Sequence, residues 1–249
     1  MGHSPHVEPM TDEKSLRPRK ADAVSPQKST PTEIDIFLRQ VQAAATRAEG
    51  GRLVLALDAT MSRQPTWDLA CALQGKMFDA VGQAGALNVQ LVYFRGFGEC
   101  RASRFVADTA TLKQLMTRID CRAGHTQIGK VLTHVLKEAG NGKVSAVVYI
   151  GDAMEEHIDD LADKAGRLGL LGVPVFVFQE GRDRDAEAAF KEIARLTRGA
   201  WFRFDQAAAE TLSKLLASVA VFATGGLKAL QARNRPEDRL MIEHLSAHR

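Results

Sequence analysis

Short apolar runs alternate with longer amphipathic segments along most of this chain, and this alternation restricts the fold more than any other feature. Runs that are apolar on both sides suit strands buried on both faces of a parallel sheet. The predicted strands are residues 53–57, 89–94, 144–150, 173–178 and, more weakly, 201–204. The helical segments between and around them are 66–84, 109–119, 126–138, 158–171 and 186–197. Such an order predicts a doubly wound, Rossmann-like α/β domain with helices on both faces of a mostly parallel sheet.

One further strand breaks the alternation. Residues 101–106 follow the glycine-rich turn 96–98 closely and alternate between apolar and polar side chains. This pattern is typical of a short antiparallel strand that a hairpin pairs at the edge of a sheet. The sequence therefore predicts six strands, followed by a helix at 207–222 and an accessory helix at 236–245.

The composition changes along the chain and suggests four segments. Residues 1–32 are polar and proline-rich, as in a disordered tail. A lead-in helix is predicted at 33–49, the α/β domain at 50–223 and a helical C-terminal tail at 224–249. The apolar stretch 215–227 is interrupted by polar residues and is too short to span a bilayer. No signal-peptide pattern is present near the N-terminus.

Charge and cysteine usage limit the kinds of partner and the cell compartment that we expect. The formal net charge is +3, and basic and acidic residues are mixed along the chain. No polybasic stripe indicates nucleic acid or an anionic membrane as a partner. The three cysteines have no paired short spacing, which fits a reducing compartment. We therefore expect a cytoplasmic protein.

Polar side chains with oxygen atoms follow two of the predicted strands. Asp58, Thr60 and Ser62 come directly after the first strand, and Asp152 follows the strand at 144–150. Thr126 opens a predicted helix between them. In an open α/β sheet, ligands bind beyond the carboxyl ends of the strands. Because hard oxygens are the ligands that Mg²⁺ prefers, these residues predict a magnesium site, which would also suit Mn²⁺ or Ca²⁺.

These motifs resemble the von Willebrand factor A (VWA) domain family over residues 50–223. The metal-ion-dependent adhesion site of that family has a DxSxS motif after the first strand, a Thr from a second loop and an Asp after the fourth strand. Asp58, Thr60 and Ser62 match the first motif, Thr126 the second and Asp152 the third. This chain departs from the family in having Thr60 for the first Ser and Ala153 where Gly is common. Neither change removes a ligand.

The resemblance implies protein binding rather than catalysis. In that family the metal keeps one coordination position for an Asp or Glu carboxylate of a partner protein. Thr60 and Ser62 would then bind the metal directly, and Asp58, Thr126 and Asp152 directly or through water. Intracellular relatives often act beside an ATPase or a chaperone, so a partner of that kind is expected here.

Two other classes of function stay open from the residues alone. Asp58 at the end of a strand could be the nucleophile of a phosphohydrolase of the haloacid dehalogenase type, although Thr60 stands where that family has a second Asp. Residues 124–130 match the start of a phosphate-binding P-loop, but Val131 replaces its Ser or Thr. These two possibilities form one class, an enzyme; the other class is a metal-free interaction scaffold that uses the C-terminal helices.

Two local interpretations accompany these alternatives. Thr126 suits the N-cap of a helix as well as it suits a metal ligand. Glu155, Glu156 and His157 are interpreted as the charged start of the helix at 158–171, where acidic side chains are favourable in the field of the helix dipole. The alternative is a charged rim of the site that selects partners.

Overall fold

The structure is a computed structural model that describes residues 51–64, 87–204 and 209–247. The predicted tail 1–32, the predicted lead-in helix 33–49 and the predicted helix 66–84 lie outside the described residues.

Six strands form one sheet in the order β3-β2-β1-β4-β5-β6. All neighbouring pairs are parallel except β2 with β3. The fold prediction, a mostly parallel doubly wound sheet with one antiparallel edge strand, is thereby confirmed. The strands are β1 Gly51–Asp58, β2 Leu87–Arg95, β3 Glu99–Ala102, β4 Ala146–Gly151, β5 Val175–Glu180 and β6 Ala200–Phe204.

The edge strand begins earlier than the sequence predicts. It was expected at 101–106, but β3 spans Glu99–Ala102, with Glu99 directly opposite Arg95 in β2. The turn at 96–98 is tight because Gly96 adopts a positive φ of 61°. Pairing therefore starts as soon as the chain reverses, and Val106 rejoins the sheet through a single bridge to Val89.

Helices cover both faces of the sheet. In β1, Leu53, Leu55 and Leu57 contribute to one buried cluster, and Val54 and Ala56 to the other. The first cluster includes residues of α1, α5 and α6, and the second residues of α2, α3 and α4. Since both faces are covered, a central strand is apolar on both sides, as the sequence of β1 shows. The helices are α1 Thr109–Met116, α2 Ile128–Asn141, α3 Ile158–Leu170, α4 Arg184–Leu196, α5 Ala209–Arg233 and α6 Pro236–Ala247.

The two C-terminal helices pack onto the sheet. The helix predicted at 207–222 continues to Arg233, with non-helical backbone at Gly226 (φ 65°, ψ −160°). Met241 and Leu245 of α6 are buried in the cluster that includes β1. The sequence stretch 215–227 was judged too short to span a bilayer, but the helical segment Ser213–Arg233 is long and apolar enough to do so by length and composition alone. In the structure, 44% of its most apolar window is buried within the protein. The predicted limits of the α/β domain at 50–223 stay a prediction.

The strand order places a switch point beside β1. Its neighbours are β2 on one side and β4 on the other, so the chain winds in opposite directions from this strand. A crevice forms at the carboxyl edge where the order reverses, and ligands of doubly wound folds bind there. Asp58, the last residue of β1, and Asp152, which follows β4, both lie at this edge.

Candidate metal centre

The loop after β1 is shaped by the first of its own polar residues. Asp58 is fully buried, and its Oδ1 accepts a hydrogen bond of 2.8 Å from the backbone N–H of Thr60. The hydroxyls of Thr60 and Ser62 lie 3.1 Å apart, with Thr60 buried and Ser62 exposed. A single short turn, Met61–Arg63, follows. One oxygen of Asp58 therefore holds the loop, and the three side chains at 58, 60 and 62 come from one compact segment.

Backbone hydrogen bonds attach this loop to its neighbours. The N–H of Ala59 donates to the carbonyl of Phe94 in β2 at 2.9 Å, and the N–H of Arg122 donates to the carbonyl of Ala59 at 3.0 Å. Thr60 and Arg122 also form an isolated parallel bridge. The first motif is thus tied to the segment that leads to Thr126.

Two buried carboxylate oxygens lie at this edge, one on Asp58 and one on Asp152. Among the described residues, none donates to Asp58 Oδ2 or to Asp152 Oδ1. Burial raises the pKa of Asp58 from 3.8 to about 6, against the lowering effect of its hydrogen bonds with Thr60. The negative charge of Asp152 raises that pKa further, so the two carboxyl groups interact. A buried carboxylate is costly unless a cation or donors compensate its charge.

Thr126 lies beside the loop after β4. Its hydroxyl accepts a hydrogen bond of 3.0 Å from the N–H of Glu155, and its own N–H donates to Glu155 Oε2 at 2.9 Å. The helix expected to start at Thr126 begins at Ile128, with Gln127 as its N-cap. The interpretation of Thr126 as the N-cap is therefore wrong, because its hydroxyl faces the neighbouring loop.

The pair of glutamates after Asp152 has a different role from the one expected. Helix α3 begins at Ile158, and Glu156 lies before it. The carboxylate of Glu156 accepts hydrogen bonds from the N–H groups of Ile128 at 2.5 Å and Gly129 at 2.8 Å. These N–H groups in the first turn of α2 have no partner within the helix, so an acidic side chain is favourable there. His157 is the N-cap residue of α3, as a helix start there requires, but the charge of Glu156 stabilises the start of α2 instead.

The P-loop-like segment 124–130 binds these carboxylates where a P-loop would bind phosphate. Its N–H groups at Thr126, Ile128 and Gly129 donate to the two glutamates. The ammonium of Lys130 donates to the carbonyl of Gly98 at 3.0 Å and to Gln127 Oε1 at 2.9 Å. The segment also follows irregular backbone rather than a strand. Its arrangement does not support a nucleotide hydrolase.

An ion pair below the loop was not found from the sequence. Arg63 is 1% exposed, and its guanidinium lies 2.6 Å from the carboxylate of Glu180, the last residue of β5. Its positive charge opposes the rise in the pKa of Asp58 that burial causes. Only the pairing of β4 with β5 brings Glu180 to this edge, and the two residues are 117 positions apart in the sequence, so no local pattern indicates the pair.

Two glycines at this edge stand where a side chain would collide with a neighbouring group. A Cβ at Gly124 would lie 2.1 Å from the carbonyl oxygen of Gly96, which is a backbone clash. A Cβ at Gly151, directly before Asp152, would lie 2.6 Å from the buried hydroxyl of Tyr149. Any side chain at either position would move the loop that carries Thr126 or Asp152.

Exposed apolar side chains border the same edge. Phe97, at the tip of the β2–β3 hairpin, is 81% exposed, and its ring meets that of His125 edge to face at 5.2 Å. Met61, between Thr60 and Ser62, is 50% exposed. The N–H of His125 donates to the carbonyl of Gly96 at 3.3 Å, which holds this hairpin beside the Thr126 segment.

The residues at this edge fit a hard divalent cation. Within the described ranges, no three His, Cys, Asp or Glu side chains come together as a metal-binding group. The set is instead two carboxylates and three hydroxyls, and both carboxylates have a buried oxygen that accepts no hydrogen bond from the described residues. Oxygen donors of this kind suit Mg²⁺ and not zinc or copper. The role of the five residues as ligands stays a prediction.

Comparison with solved structures agrees with this architecture. A von Willebrand factor type A protein from Catenulispora acidiphila is 17% identical (TM-score 0.59) over 71% of this chain and 43% of its own. An aerotolerance-related membrane protein from Bacteroides fragilis is 20% identical (TM-score 0.54) over 67% of this chain and 98% of its own. The SpRpn10 VWA domain is 13% identical (TM-score 0.54) over 70% of this chain and 97% of its own.

At these identities the likeness shows the fold, and the chain therefore has a VWA-like α/β fold. It spans less than half the length of the Catenulispora acidiphila chain. No protein-family model and no curated protein matches the sequence.

Proposed function

We propose that this protein is a metal-dependent protein-binding module. In the proposal, a Mg²⁺ ion held at the carboxyl edge of the sheet docks an acidic residue of a partner protein. The observation that carries it is the pair of buried carboxylate oxygens, Asp58 Oδ2 and Asp152 Oδ1, which accept no hydrogen bond from the described residues.

The residues divide the work of holding a cation. Asp58 fixes the loop through Oδ1 and keeps Oδ2 for the ion, while Asp152 contributes Oδ1. The hydroxyls of Thr60, Ser62 and Thr126 add neutral oxygens. Two carboxylates balance the charge of a divalent ion, so the ion stays electrophilic towards one more anionic oxygen. That oxygen would come from an Asp or Glu of the partner.

The border of the site supports a protein as the partner. Phe97 and Met61 are exposed at the same edge, and large apolar side chains beside a polar centre are typical of protein-binding surfaces. A small anion bound to the metal would not need apolar contacts with these two side chains. We expect the partner in the cytoplasm and would test ATPases and chaperones first, with neither nucleic acid nor a membrane as the target.

Metal binding is the first test. We expect Mg²⁺ or Mn²⁺ to raise the unfolding temperature relative to EDTA, because a ligand bound only by the folded state stabilises it by about 2.7 kcal/mol at 100 times its Kd. Asp152→Asn should abolish the rise, whereas Asp159→Asn, an exposed acidic residue of α3, should retain it. The absence of any shift at millimolar Mg²⁺ and Mn²⁺ would contradict an occupied site.

Partner binding is the second test and separates the metal site from a scaffold. For a partner recovered by pull-down, EDTA, Asp152→Asn and Phe97→Ser should each weaken binding. Leu240→Ser, in an exposed position of α6, should not. Loss of binding with Leu240→Ser and full binding in EDTA would support a metal-free scaffold that uses the C-terminal helices.

A further inference from the structure

Four hydrogen bonds between backbone N–H groups and side-chain oxygens join the loop after β4 to Thr126 and to the first turn of α2. Two involve Glu155: Thr126 N–H donates to its Oε2 at 2.9 Å, and its own N–H donates to the Thr126 hydroxyl at 3.0 Å. The other two run from the N–H groups of Ile128 and Gly129 to the carboxylate of Glu156, at 2.5 and 2.8 Å. We call this set the glutamate clamp.

The clamp is built from strong interactions. A carboxylate that accepts N–H bonds at a helix N-terminus gains both charge-assisted hydrogen bonds and the field of the helix dipole. Helix α2 is 14 residues long, and Glu156 binds two N–H groups in its first turn. His125 Nδ1 lies 3.2 Å from Glu155 Oε2 and adds a further polar contact.

The clamp joins segments that carry different residues of the proposed metal site. Thr126 belongs to the segment before α2, and Asp152 begins the irregular loop 152–157 between β4 and α3. The loop has no strand or helix of its own. Glu155 lies three residues after Asp152 and binds Thr126 directly. The distance between the Thr126 hydroxyl and the Asp152 carboxylate therefore depends on these contacts.

We propose that Glu155 and Glu156 are positioning residues of the metal site, an inference that rests on the proposed function. They hold the Thr126 hydroxyl and the Asp152 carboxylate in one arrangement without touching the metal. The carboxylates of Glu155 and Glu156 accept hydrogen bonds from backbone N–H groups, so these two residues would not neutralise the charge of the cation. The same contacts occupy the N–H groups that a P-loop would offer to phosphate.

Conservative variants test the clamp. In Glu155→Gln and Glu156→Gln, each side chain keeps its shape but loses its charge and one acceptor oxygen. We expect Mn²⁺ affinity, measured by calorimetry, to fall about tenfold or more, as for other residues that orient metal ligands. Glu192→Gln, on the exposed side of α4 beside Arg195, is the matched control and should bind Mn²⁺ as the wild type does.

A second measurement reports on the clamp without metal. In EDTA, amide exchange followed by NMR should accelerate about tenfold at Thr126 in Glu155→Gln and at Ile128 and Gly129 in Glu156→Gln. Amides of the β1 core, such as that of Leu55, should keep their protection in both variants. If Glu156→Gln unfolds, Glu155→Gln alone tests the clamp, because it leaves the contacts of Glu156 with the first turn of α2 intact.

The outcomes separate the two proposals. Weaker Mn²⁺ binding together with faster local exchange supports the positioning role. Unchanged Mn²⁺ affinity in folded variants overturns it, even if exchange accelerates, because the clamp would then be structural only. If wild-type protein binds no Mn²⁺, the proposed function itself fails, and the exchange experiment still shows whether the clamp exists in solution.

Discussion

Asp58 at the end of β1 and Asp238 in the first turn of α6 are both fully buried, but their surroundings differ. Asp238 Oδ1 accepts a hydrogen bond from the Ser218 hydroxyl at 2.7 Å. Its Oδ2 accepts from Arg233 Nε at 2.8 Å and from the N–H of Arg235 at 3.0 Å. Asp58 has Thr60 on one oxygen, and its other oxygen accepts no hydrogen bond from the described residues.

The two pKa values move in opposite directions for this reason. Burial alone would raise the pKa of Asp238, but the hydrogen bonds from Arg233 and Ser218 outweigh it and hold that pKa below its ordinary value. At Asp58 burial dominates and raises the pKa to about 6. Both oxygens of Asp238 thus accept hydrogen bonds, whereas only one oxygen of Asp58 accepts a hydrogen bond from the described residues. In the proposed function, Asp238 contributes to stability and Asp58 is a ligand of the metal.

Removal of the satisfied aspartate should have the largest effect on stability. Asp238→Ala leaves the guanidinium of Arg233 without its carboxylate in a largely buried place, which costs on the order of 3 kcal/mol in the free energy of unfolding. Urea denaturation of the variant and of Leu240→Ala, at an exposed position of the same helix, would measure it. A loss below about 1 kcal/mol for Asp238→Ala would remove one side of the comparison.

The dependence of stability on pH should distinguish the two aspartates. The folded pKa of Asp58, about 6, exceeds its ordinary value of 3.8, so its contribution to stability is present at low pH and is lost as the pH rises through about 6. In EDTA, the free energy of unfolding of Asp58→Asn should therefore gain on that of the wild type, by up to about 3 kcal/mol between pH 4 and pH 7.

Asp238→Asn is the control for that experiment and should behave in the opposite way. The folded pKa of Asp238 is lowered, so its contribution is present above the ordinary value and is lost as the pH falls through the folded pKa. The variant should therefore lose ground to the wild type as the pH rises from acid to neutral. The same trend for both variants would contradict the contrast.

A pair of serine variants should give smaller and complementary effects. Ser218 is fully buried and bonded to both Asp238 and Arg233, so Ser218→Ala should cost about 1–2 kcal/mol and leave stabilisation by Mg²⁺ unchanged. Ser62 is exposed, so Ser62→Ala should change stability in EDTA by less than about 0.5 kcal/mol but reduce the stabilisation by Mg²⁺. Thermal unfolding with and without Mg²⁺ measures both.

The smallest expected effect is on catalysis, where we predict none. Hydrolysis of p-nitrophenyl phosphate and of ATP with Mg²⁺ should stay at background, because Thr60 stands where a phosphatase would have its second aspartate and the segment 124–130 binds glutamates. If turnover is observed and Asp58→Asn abolishes it, Asp58 would instead be identified as a catalytic nucleophile. The comparison would then separate a structural aspartate from a catalytic one.

The sequence by itself determined the sheet and the edge that carries the site. Strands covered on both faces are mostly apolar on both sides, so β1, β2, β4 and β5 were visible as short apolar runs. Because the carboxyl ends of parallel strands meet at one edge, the positions of Asp58 and Asp152 after two such runs predicted that they lie there. The start of β3 differed by two residues, since its pairing with β2 depends on the geometry of the turn.

Only the tertiary structure decided which charges meet. The N-terminus of α2 at Ile128 is bound by Glu156, which lies 28 residues further along the chain. The buried charge of Arg63 is paired with Glu180 at the end of β5, the strand beside β4. Local patterns reveal the preference of a residue for a helix end or a loop, but not the distant group that satisfies it. Asp58 and Asp238 both stand in the sequence as acids at the edge of an element. The donors that the fold brings to each oxygen make one structural and leave the other able to bind a ligand.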